Sequence, residues 1–419
     1  MSNISQELVQ SIPFEASKAV HAALDRIGRS EDLRFSPSGD RLVIAGFGTE
    51  RLLILNVRPE LAVDRPHIAL TGFLEVESDT FNAPHGSVWV DDSTLFVANR
   101  HGHISVLTLP EGRETESPLR LNPVRLIGAD GKDLITTPGS LSVAAVGMGL
   151  VELLVCNNYV NYVTRHLIDQ QDGYKVVASE IIVAEGLAIP DGIARSPARD
   201  WIAISSHDDH QVLLFRDDDQ LDRTSRPQGV LSGFCYPHGL KFSHDGRRLV
   251  VADAGAPYVH VYSSDDGDWS GQREPTEKHR VLSEEDFLRG HHNPKEGGPK
   301  GLDMTPDQTL FVVTCEEQPL AFFNAGPSLR IDDQPVCLRQ NISEANRTRD
   351  VVLRYLNAAR NSGQQETDAM RRAGEYEREE VVKLAREIRD LRRSRSWRLT
   401  APLRNASALV SKIIRRNET

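Results

Sequence analysis

The sequence predicts an all-β protein, a six-bladed β-propeller that carries an α-helical, coiled-coil-like C-terminal extension. A strand–turn–strand unit recurs along the chain, and its copies lie about 45 to 60 residues apart, which is the spacing of four-stranded propeller blades. After about residue 340 the apolar period changes from two to that of a helix. The 419 residues of the chain are enough for such a ring and an appendage.

The repeated unit is clearest in residues 240–252, which match residues 33–45 almost position for position. Both copies hold two apolar runs joined by a turn that contains glycine, so each predicts a hairpin. Each copy continues into a third, alternating strand, and most continue into a fourth, more polar one. Related copies occupy residues 84–98, 138–156, 190–205 and 299–313; third strands are predicted at 52–57, 104–109, 162–168, 211–215, 259–262 and 320–323, and fourth strands at 120–127 and 174–183.

The copies must close into a ring, because a blade buries its faces only against neighbouring blades. Six copies fit between residues 30 and 335, which we assign to the propeller, and a seven-bladed ring is the alternative. In the N-terminal segment, residues 1–29, a strand at residues 22–27 is predicted to complete the last sheet.

The C-terminal segment, residues 340–419, predicts two helices at 350–360 and 367–395. Apolar residues at three- and four-residue steps form a narrow seam in the second helix, at Val381, Leu384, Ile388 and Leu391. The seam is suited to pairing with a second copy of the chain; the alternative is a solvated helix that leans on the propeller. The basic end around Trp397 is suited to an anionic membrane surface, an acidic partner or the propeller's own acidic surface.

Composition excludes some classes of function. The net charge of −11 argues against general nucleic-acid binding, which needs clustered Lys and Arg. We find no apolar stretch of the roughly 18 residues that a membrane span requires, and the first residues lack the features of a signal peptide. The four cysteines form no CxxC pair and are predicted to be buried, reduced thiols. We therefore expect a cytoplasmic protein, with peripheral inner-membrane contact through the basic tail as an alternative.

One residue per blade is predicted to converge at a single mouth of the central channel, because each inner strand begins there. Alignment of the copies on the glycine that opens the strand places five ionisable residues and one glycine at equivalent positions: Glu31, His85, Gly139, Asp191, His238 and Lys300. Imidazole and carboxylate groups suit a divalent metal such as Zn, Mn or Fe. A histidine acting as general base, with Lys300 stabilising negative charge, is a second interpretation. A ligand site without chemistry, and polar residues that simply line a wet channel, are the others.

Loops after the second strands reach the same mouth and supply candidate substrate-binding residues. Taken singly, each of them is more often a turn-capping residue than a ligand. The candidates are Asn99, Arg100, Asn157, Asn158, His207, Asp253 and Glu316. A long insertion around His291 and His292 precedes the last blade, and loops of that length are commonly lids or simply mobile.

Over residues 30–330 the Pro-x-Gly copies resemble the gluconolactonase/regucalcin family and the NHL-type propellers. The resemblance implies a divalent cation in the channel with Glu31, Asp191 and His238 as ligands. It implies a lactonase-like hydrolase, and in the corresponding hypothesis His85 or Lys300 takes an acid–base or charge-stabilising role. Histidine-bearing rings also occur in propeller lyases, so elimination chemistry remains an alternative.

Residues 394–404, which read Ser-Arg-Ser-Trp-Arg-Leu-Thr-Ala-Pro-Leu-Arg, are similar to a segment that bacterial glycosyltransferases and related polysaccharide-biosynthesis proteins carry outside their catalytic domains. The resemblance implies a setting in cell-surface polysaccharide metabolism. Two functions follow as hypotheses. The first is a metal-dependent hydrolase or lyase acting on a sugar or sugar lactone. The second is a non-catalytic scaffold that binds a glycan or a protein partner and uses its tail for assembly.

Overall fold

The computed structural model describes residues 3–61, 67–110, 118–147 and 149–325. Within them the strands form six sheets whose inner strands contact one another in a closed ring, so the predicted six-bladed propeller is confirmed. The C-terminal helices, their apolar seam and the basic end, all predicted after residue 340, lie outside the described residues. In the described ranges no helix has the length and apolar content needed to cross a membrane.

The N-terminal segment contains two strands and a helix: β1 (Asn3–Leu8), β2 (Phe14–Ala16) and α1 (Lys18–Ile27). The strand predicted at residues 22–27 is therefore wrong. The hydroxyl of Ser17 accepts a hydrogen bond from the amide of Val20 at 3.2 Å and caps the helix. The buried residues of α1 recur at steps of three and four, the period of a helix packed on one face: Val20, Ala23, Leu24 and Ile27.

The first three blades each contain four main strands that run antiparallel to their neighbours. Blade 1 holds β3 (Ser30–Phe35), β4 (Arg41–Gly46), β5 (Arg51–Glu60) and β6 (His67–Glu77); blade 2 holds β7 (Pro84–Trp89), β8 (Thr94–Asn99), β9 (Ile104–Thr108) and, after the short β10 (Leu119–Arg120), which joins the sheet of blade 1, β11 (Arg125–Ile127); blade 3 holds β12 (Pro138–Gly147), β13 (Leu150–Asn157), β14 (Tyr162–Asp169) and β15 (Lys175–Val183).

The strand predicted at residues 120–127 is in fact two strands that belong to different blades. β11 is the outer strand of blade 2, whereas β10 pairs in parallel with β6 of blade 1. Pro123 lies between them and has no amide hydrogen for a continuous ladder.

The remaining blades follow the same order along the chain, and a second helix precedes the last one. Blade 4 holds β16 (Pro190–Arg195), β17 (Trp201–Ser206), β18 (Gln211–Arg216) and β19 (Gly229–Leu231); blade 5 holds β20 (Pro237–Phe242), β21 (Arg248–Asp253), β22 (Tyr258–Ser263) and, after the short β23 (Gly271–Arg273), which joins the sheet of blade 4, β24 (Glu277–Arg280), followed by α2 (Glu284–Gly290); blade 6 holds β25 (Leu302–Met304), β26 (Leu310–Val313) and β27 (Ala321–Asn324).

Short parallel strands cover the outer edges of three blades. β10 pairs with β6, β23 with β19 and β1 with β24, so each joins a blade to a segment from elsewhere in the chain. The N-terminal segment also meets blade 6, because the amide of Ile12 donates to the carbonyl oxygen of Phe322 at 2.8 Å. The first part of the chain thus contacts the last blade, but through Ile12 and not through residues 22–27. Because these edges are covered, fewer unpaired N–H and C=O groups are available to pair with strands of another chain.

The hydrophobic core consists of separate clusters between neighbouring blades. One cluster joins blades 1 and 6 beneath α1, and others fill the remaining interfaces around the ring. Each blade therefore buries its apolar face only against its neighbours. Of the four cysteines predicted to be buried, Cys156 and Cys315 are buried, whereas Cys235 is exposed and contradicts the prediction. Cys337 lies outside the described residues.

Candidate metal centre at the channel mouth

Five of the six aligned ring residues occupy the second position of an inner strand at one mouth of the channel, and Lys300 lies two residues before β25. The glycine after each of them allows the inner strands to approach closely. A Cβ on Gly192 would lie 1.9 Å from the carbonyl oxygen of His238, and one on Gly239 would lie 2.5 Å from that of Lys300. Because no other residue fits such spacing, the Pro-x-Gly pattern brings side chains of different blades into contact.

Two blades depart from this pattern, and both departures supply polar contacts. In blade 1, Asp32 replaces the glycine and accepts a hydrogen bond from the amide of Ser87 at 2.9 Å. In blade 3 the ring position itself is Gly139, where a Cβ would lie 1.9 Å from Oδ1 of Asn158. The Asn158 side chain occupies this space and donates a hydrogen bond to Asp191.

Three ring side chains form a compact group of metal-binding type. One ligand atom from each of Glu31, His85 and His238 lies within 4.8 Å of the others. Oε2 of Glu31 is 3.6 Å from Nε2 of His238 and 3.9 Å from Nε2 of His85. The three residues are 2%, 2% and 4% exposed, and the two imidazole rings are stacked.

Asp191 also lies close to both histidines. Its carboxylate is 3.3 Å from Nε2 of His238 and 3.5 Å from Nε2 of His85. The predicted metal ligands were Glu31, Asp191 and His238, with His85 in an acid–base role. In the structure the compact group of three consists of Glu31, His85 and His238. Asp191 instead accepts hydrogen bonds from Arg100 and Asn158, and these contacts hold it beside the group.

The donor spacing fits a metal ion. Bonds of about 2.0–2.1 Å to a tetrahedral zinc place its ligand atoms roughly 3.4 Å apart. The 3.6 and 3.9 Å separations from Glu31 are slightly wider, so small side-chain rotations are sufficient for ligation. Three protein ligands also leave a coordination position for water or substrate, as catalytic zinc sites do.

The protonation states suit ligation as well. Burial and the neighbouring Arg100 lower the pKa of His85 well below its ordinary value, so its imidazole is neutral at pH 7. Burial alone would raise the pKa of Glu31, but Lys300, His238 and Arg29 hold it well below the ordinary value. A neutral imidazole and an ionised carboxylate are the forms that bind a metal.

Lys300 is fixed as a cation. Its ammonium is 3.0 Å from Oε2 of Glu31 and 2.6 Å from Oε2 of Glu296. Burial would lower its pKa, but these two carboxylates raise it above the ordinary value. Lys300 can therefore stabilise negative charge, whereas it is a poor proton acceptor.

The predicted loop candidates fall into two groups. Arg100 and His207 lie at the site, 3.3 and 3.9 Å from the carboxylate of Asp191. Asn99, Asn157 and Asp253 instead accept hydrogen bonds from backbone amides of nearby turns, at Asn82, Thr136, Cys235 and Tyr236.

Glu316 acts on the site through Arg29. Burial lowers the pKa of Arg29, and the carboxylates of Glu31, Glu296 and Glu316 together raise it above its ordinary value. Arg29 and Glu296 were not among the predicted site residues. Glu296 belongs to the long insertion, whose distance in sequence from blade 1 gave no indication of this contact.

The insertion after α2 spans the mouth. Lys295 forms an ion pair with Asp208 of blade 4 at 2.6 Å, and its ammonium lies 5.8 Å from the centre of the Tyr236 ring. Glu296 is 3.1 Å from Arg29, which precedes blade 1. The loop therefore connects blades on different sides of the channel and limits access to the site.

Several buried polar atoms of the site have no hydrogen-bond partner within the described part of the chain. They are Nε and Nη1 of Arg100, Oδ1 of Asn158 and Nδ1 of His85. The guanidinium of Arg100 also lies 4.9 Å from the centre of the Tyr159 ring. Buried donors and acceptors in native proteins are nearly always paired, so these atoms indicate that water, an ion or a ligand completes the site.

Comparison with known proteins identifies no family for the chain. No protein-family model matches the chain, and no curated protein matches it. Among solved structures, the chain is similar to a functionally unknown protein from Desulfotomaculum acetoxidans DSM 771. The two share 13% identity with a TM-score of 0.45, over 70% of this chain and 82% of the other.

Proposed function

We propose that the channel mouth binds a divalent transition metal through Glu31, His85 and His238, and that the protein is a metal-assisted hydrolase or lyase acting on a sugar or sugar lactone. The observation that carries the proposal is the approach of three ligand atoms, from three different blades, to within 4.8 Å of one another. When bound, the metal would act as a Lewis acid and lower the pKa of a ligated water. The resemblance of the Pro-x-Gly copies to the gluconolactonase/regucalcin family supports the same chemistry.

His207 is the proton acceptor that we propose for hydrolysis. Its Nδ1 lies 3.2 Å from the carbonyl oxygen of Pro237, which can only accept, so the hydrogen resides on Nδ1 and Nε2 is free to accept. Burial lowers the pKa of His207, which keeps the imidazole neutral. This role was predicted for His85, whose position among the ligand atoms favours metal binding instead.

Arg100 and Asn158 are the groups that we propose for substrate binding. The free donors of Arg100 suit a carboxylate or a carbonyl oxygen, and the free Oδ1 of Asn158 suits a hydroxyl group. Sugars and sugar lactones offer both kinds of group. Because Arg100 is a fixed cation, it would also stabilise negative charge that develops on the substrate oxygen.

For a lactone, the proposed reaction is a general-base hydrolysis. The oxygen of water bonds to the carbonyl carbon while one of its protons passes to Nε2 of His207. The bond between the carbonyl carbon and the ring oxygen then breaks, and the ring oxygen takes up the proton from Nε2 of His207, which gives the open hydroxy acid. Arg100 and the cationic Lys300 offset the negative charge of the intermediate.

The setting that we propose is bacterial cell-surface polysaccharide metabolism. It is supported by the similarity of residues 394–404 to a segment of glycosyltransferases and related proteins, and those residues lie outside the described part of the chain. The same tail is proposed to associate with a second copy, a partner protein or the membrane surface.

Lactone hydrolysis tests the chemical part of this proposal. We expect the zinc- or manganese-loaded protein to open aldonolactones, and the His207→Gln variant to lose about 100-fold or more in kcat with little change in metal content. His279→Gln, on an outer strand of blade 5, is the matched control and should retain activity. Equal activity of His207→Gln and the wild type would exclude His207 as the base.

A second candidate function, a binding platform without a metal, is favoured by one observation. Lys300 and Arg29 form ion pairs with Glu31 at 3.0 and 2.5 Å, so the charge of this carboxylate is balanced without a metal ion. A wild-type protein that binds a sugar but neither binds a metal nor turns a lactone over would favour this candidate.

A further inference from the structure

The opposite mouth of the channel opens into a cavity of about 450 Å³. It is lined by inner-strand residues three positions after the aligned ring residues, and their character differs from one side to the other. Blades 5, 6 and 1 supply Lys241, Asp303 and Arg34, whereas blades 2, 3 and 4 supply Val88, Ser142 and Ala194. The cavity thus has a charged half and an uncharged half.

Two cations and one carboxylate line the charged half. Lys241 and Arg34 flank Asp303, whose Oδ1 lies 2.7 Å from Nζ of Lys241 and whose Oδ2 accepts from the amide of Phe35 at 2.8 Å. Two arginines of blade 4 also reach the wall. The charge of Arg195 is balanced there by Glu152 and Asp217, and Arg199 donates to the carbonyl oxygen of Ala145. Asp303 is the one carboxylate among the lining residues in the described ranges.

Arg34 presents unused donors here. Its Nη1 donates to the carbonyl oxygen of Leu302 at 2.6 Å and lies 3.1 Å from Oδ1 of Asp32. Its Nε and Nη2 donate to no residue in the described ranges, although the side chain is only 9% exposed. A nearly buried guanidinium with free donors is suited to a carboxylate or phosphate oxygen.

The uncharged half provides an apolar wall. Val88, Leu141 and Ala194 line it, and the volume lies within the range of small-molecule sites, which combine apolar walls with a few fixed polar groups. A simple inorganic ion would leave this wall in contact with water. The two halves together therefore favour an anion that carries an apolar body.

We propose that this cavity is a second binding site, and that it takes a small organic anion whose carboxylate or phosphate group contacts Lys241 and Arg34 while its apolar part lies against Val88, Leu141 and Ala194. The site is separate from the metal centre, because its residues lie at the other end of the inner strands. The proposal does not depend on the chemistry at the first mouth.

Calorimetric titration of the full-length protein tests the proposal, with phenylphosphate, benzoate and inorganic phosphate as probes. We expect saturable binding of phenylphosphate or benzoate that is tighter than binding of inorganic phosphate, since only the former can use the apolar wall. The preferred head group distinguishes phosphate from carboxylate ligands. Lys241→Gln should weaken binding by about 10-fold to about 100-fold, the effect of one charge-assisted hydrogen bond. Lys278→Gln, which removes an equivalent charge from an outer strand, should leave binding unchanged.

A second variant keeps the test independent of Lys241. Ser142→Glu places a carboxylate on the half-exposed edge of the uncharged side and should abolish anion binding by repulsion. Arg100→Gln, at the other mouth, removes only probe binding at the first site and should retain the binding that is lost in Lys241→Gln and Ser142→Glu. The proposal would be overturned by wild-type protein that binds none of the probes, or by binding that is lost in Arg100→Gln and retained in Lys241→Gln.

Discussion

Gly139 illustrates how a single residue determines the composition of the channel mouth. The other five blades place a side chain at this position, whereas blade 3 leaves a gap that Asn158 fills. Alignment of the copies was enough to predict the ring. It could not predict that a glycine would admit an amide from a neighbouring loop, since that contact depends on the separation of two backbones.

The contacts among the ring side chains could not be predicted from the sequence either. Equivalent positions implied convergence but not which side chains would face one another. The stacking of His85 on His238 and the position of Asp191 beside both depend on side-chain rotamers across three blades. The sequence consequently predicted the members of the ring but not the arrangement of their side chains.

Burial of His166 should make stability depend on pH. Its ring lies between the hydroxyls of Thr164 and Ser179, and burial lowers its pKa to about 3. The unfolded chain therefore binds a proton that the folded chain excludes, so stability present above about pH 6.5 is lost as the pH falls towards about 3. We expect a contribution of about 1.4 kcal/mol per pH unit in that range.

Urea unfolding at pH 7 and pH 5 checks this expectation. The loss of stability between the two should be smaller by about 2 kcal/mol in His166→Gln than in the wild type. His292→Gln, at an exposed position, should behave as the wild type does. An unchanged pH dependence in His166→Gln would show that this histidine does not carry the effect.

At the scale of elements, the two errors have local physical causes. The strand predicted at residues 22–27 rested on ring closure alone. The cap at Ser17 and the spacing of the apolar residues indicate the helix α1 instead. Residues 120–127 were predicted to be one strand although Pro123 interrupts them. The alternating strands between turns were predicted well, because their period of two is strong and the turns recur.

The hairpin turns that follow the inner strands of blades 1, 4, 5 and 6 share a backbone conformation. Gly39 and Gly246 adopt φ of +79° and +70°, and Arg199 and Gln308 occupy the corresponding position with φ of +58° and +53°. A left-handed conformation is strained for residues that carry a Cβ.

Gly246→Ala should therefore destabilise the protein by about 1 kcal/mol through the backbone alone. The nearest atom to an added Cβ is Cδ of Pro197 at 3.6 Å, so no clash contributes. Gly48→Ala is the matched control, because nothing lies within 4 Å of its Cβ and its φ is not left-handed. Equal midpoints of urea unfolding for the two variants would contradict the assignment of strain to this turn.

At the scale of the whole molecule, the N-terminal segment joins blades that are distant in sequence. The amide of Val9 donates to the carbonyl oxygen of Arg280 in blade 5, and the amide of Ile12 donates to that of Phe322 in blade 6. The segment also supplies α1, which packs on the cluster between blades 1 and 6. It therefore acts as a clasp across the closure of the ring.

Removal of residues 1–13 should loosen this closure while leaving α1 in place. We expect a loss of at least about 2 kcal/mol, because several backbone hydrogen bonds and the packing of Ile12 disappear together. Thermal unfolding should show a lower midpoint than in the wild type, with Ile12→Ala falling between the two. A midpoint equal to that of the wild type would mean that the blades close without the clasp.

Metal binding is the most direct test of the proposed centre. Calorimetric titration of chelator-treated protein with Zn²⁺ should give one site per chain, and His85→Ala and His238→Ala should each weaken binding by at least about 100-fold. His279→Gln should bind as the wild type does. Absence of Zn²⁺ and Mn²⁺ binding by the wild type, or a ring variant that binds Zn²⁺ as tightly as the wild type does, would contradict a metal centre at Glu31, His85 and His238.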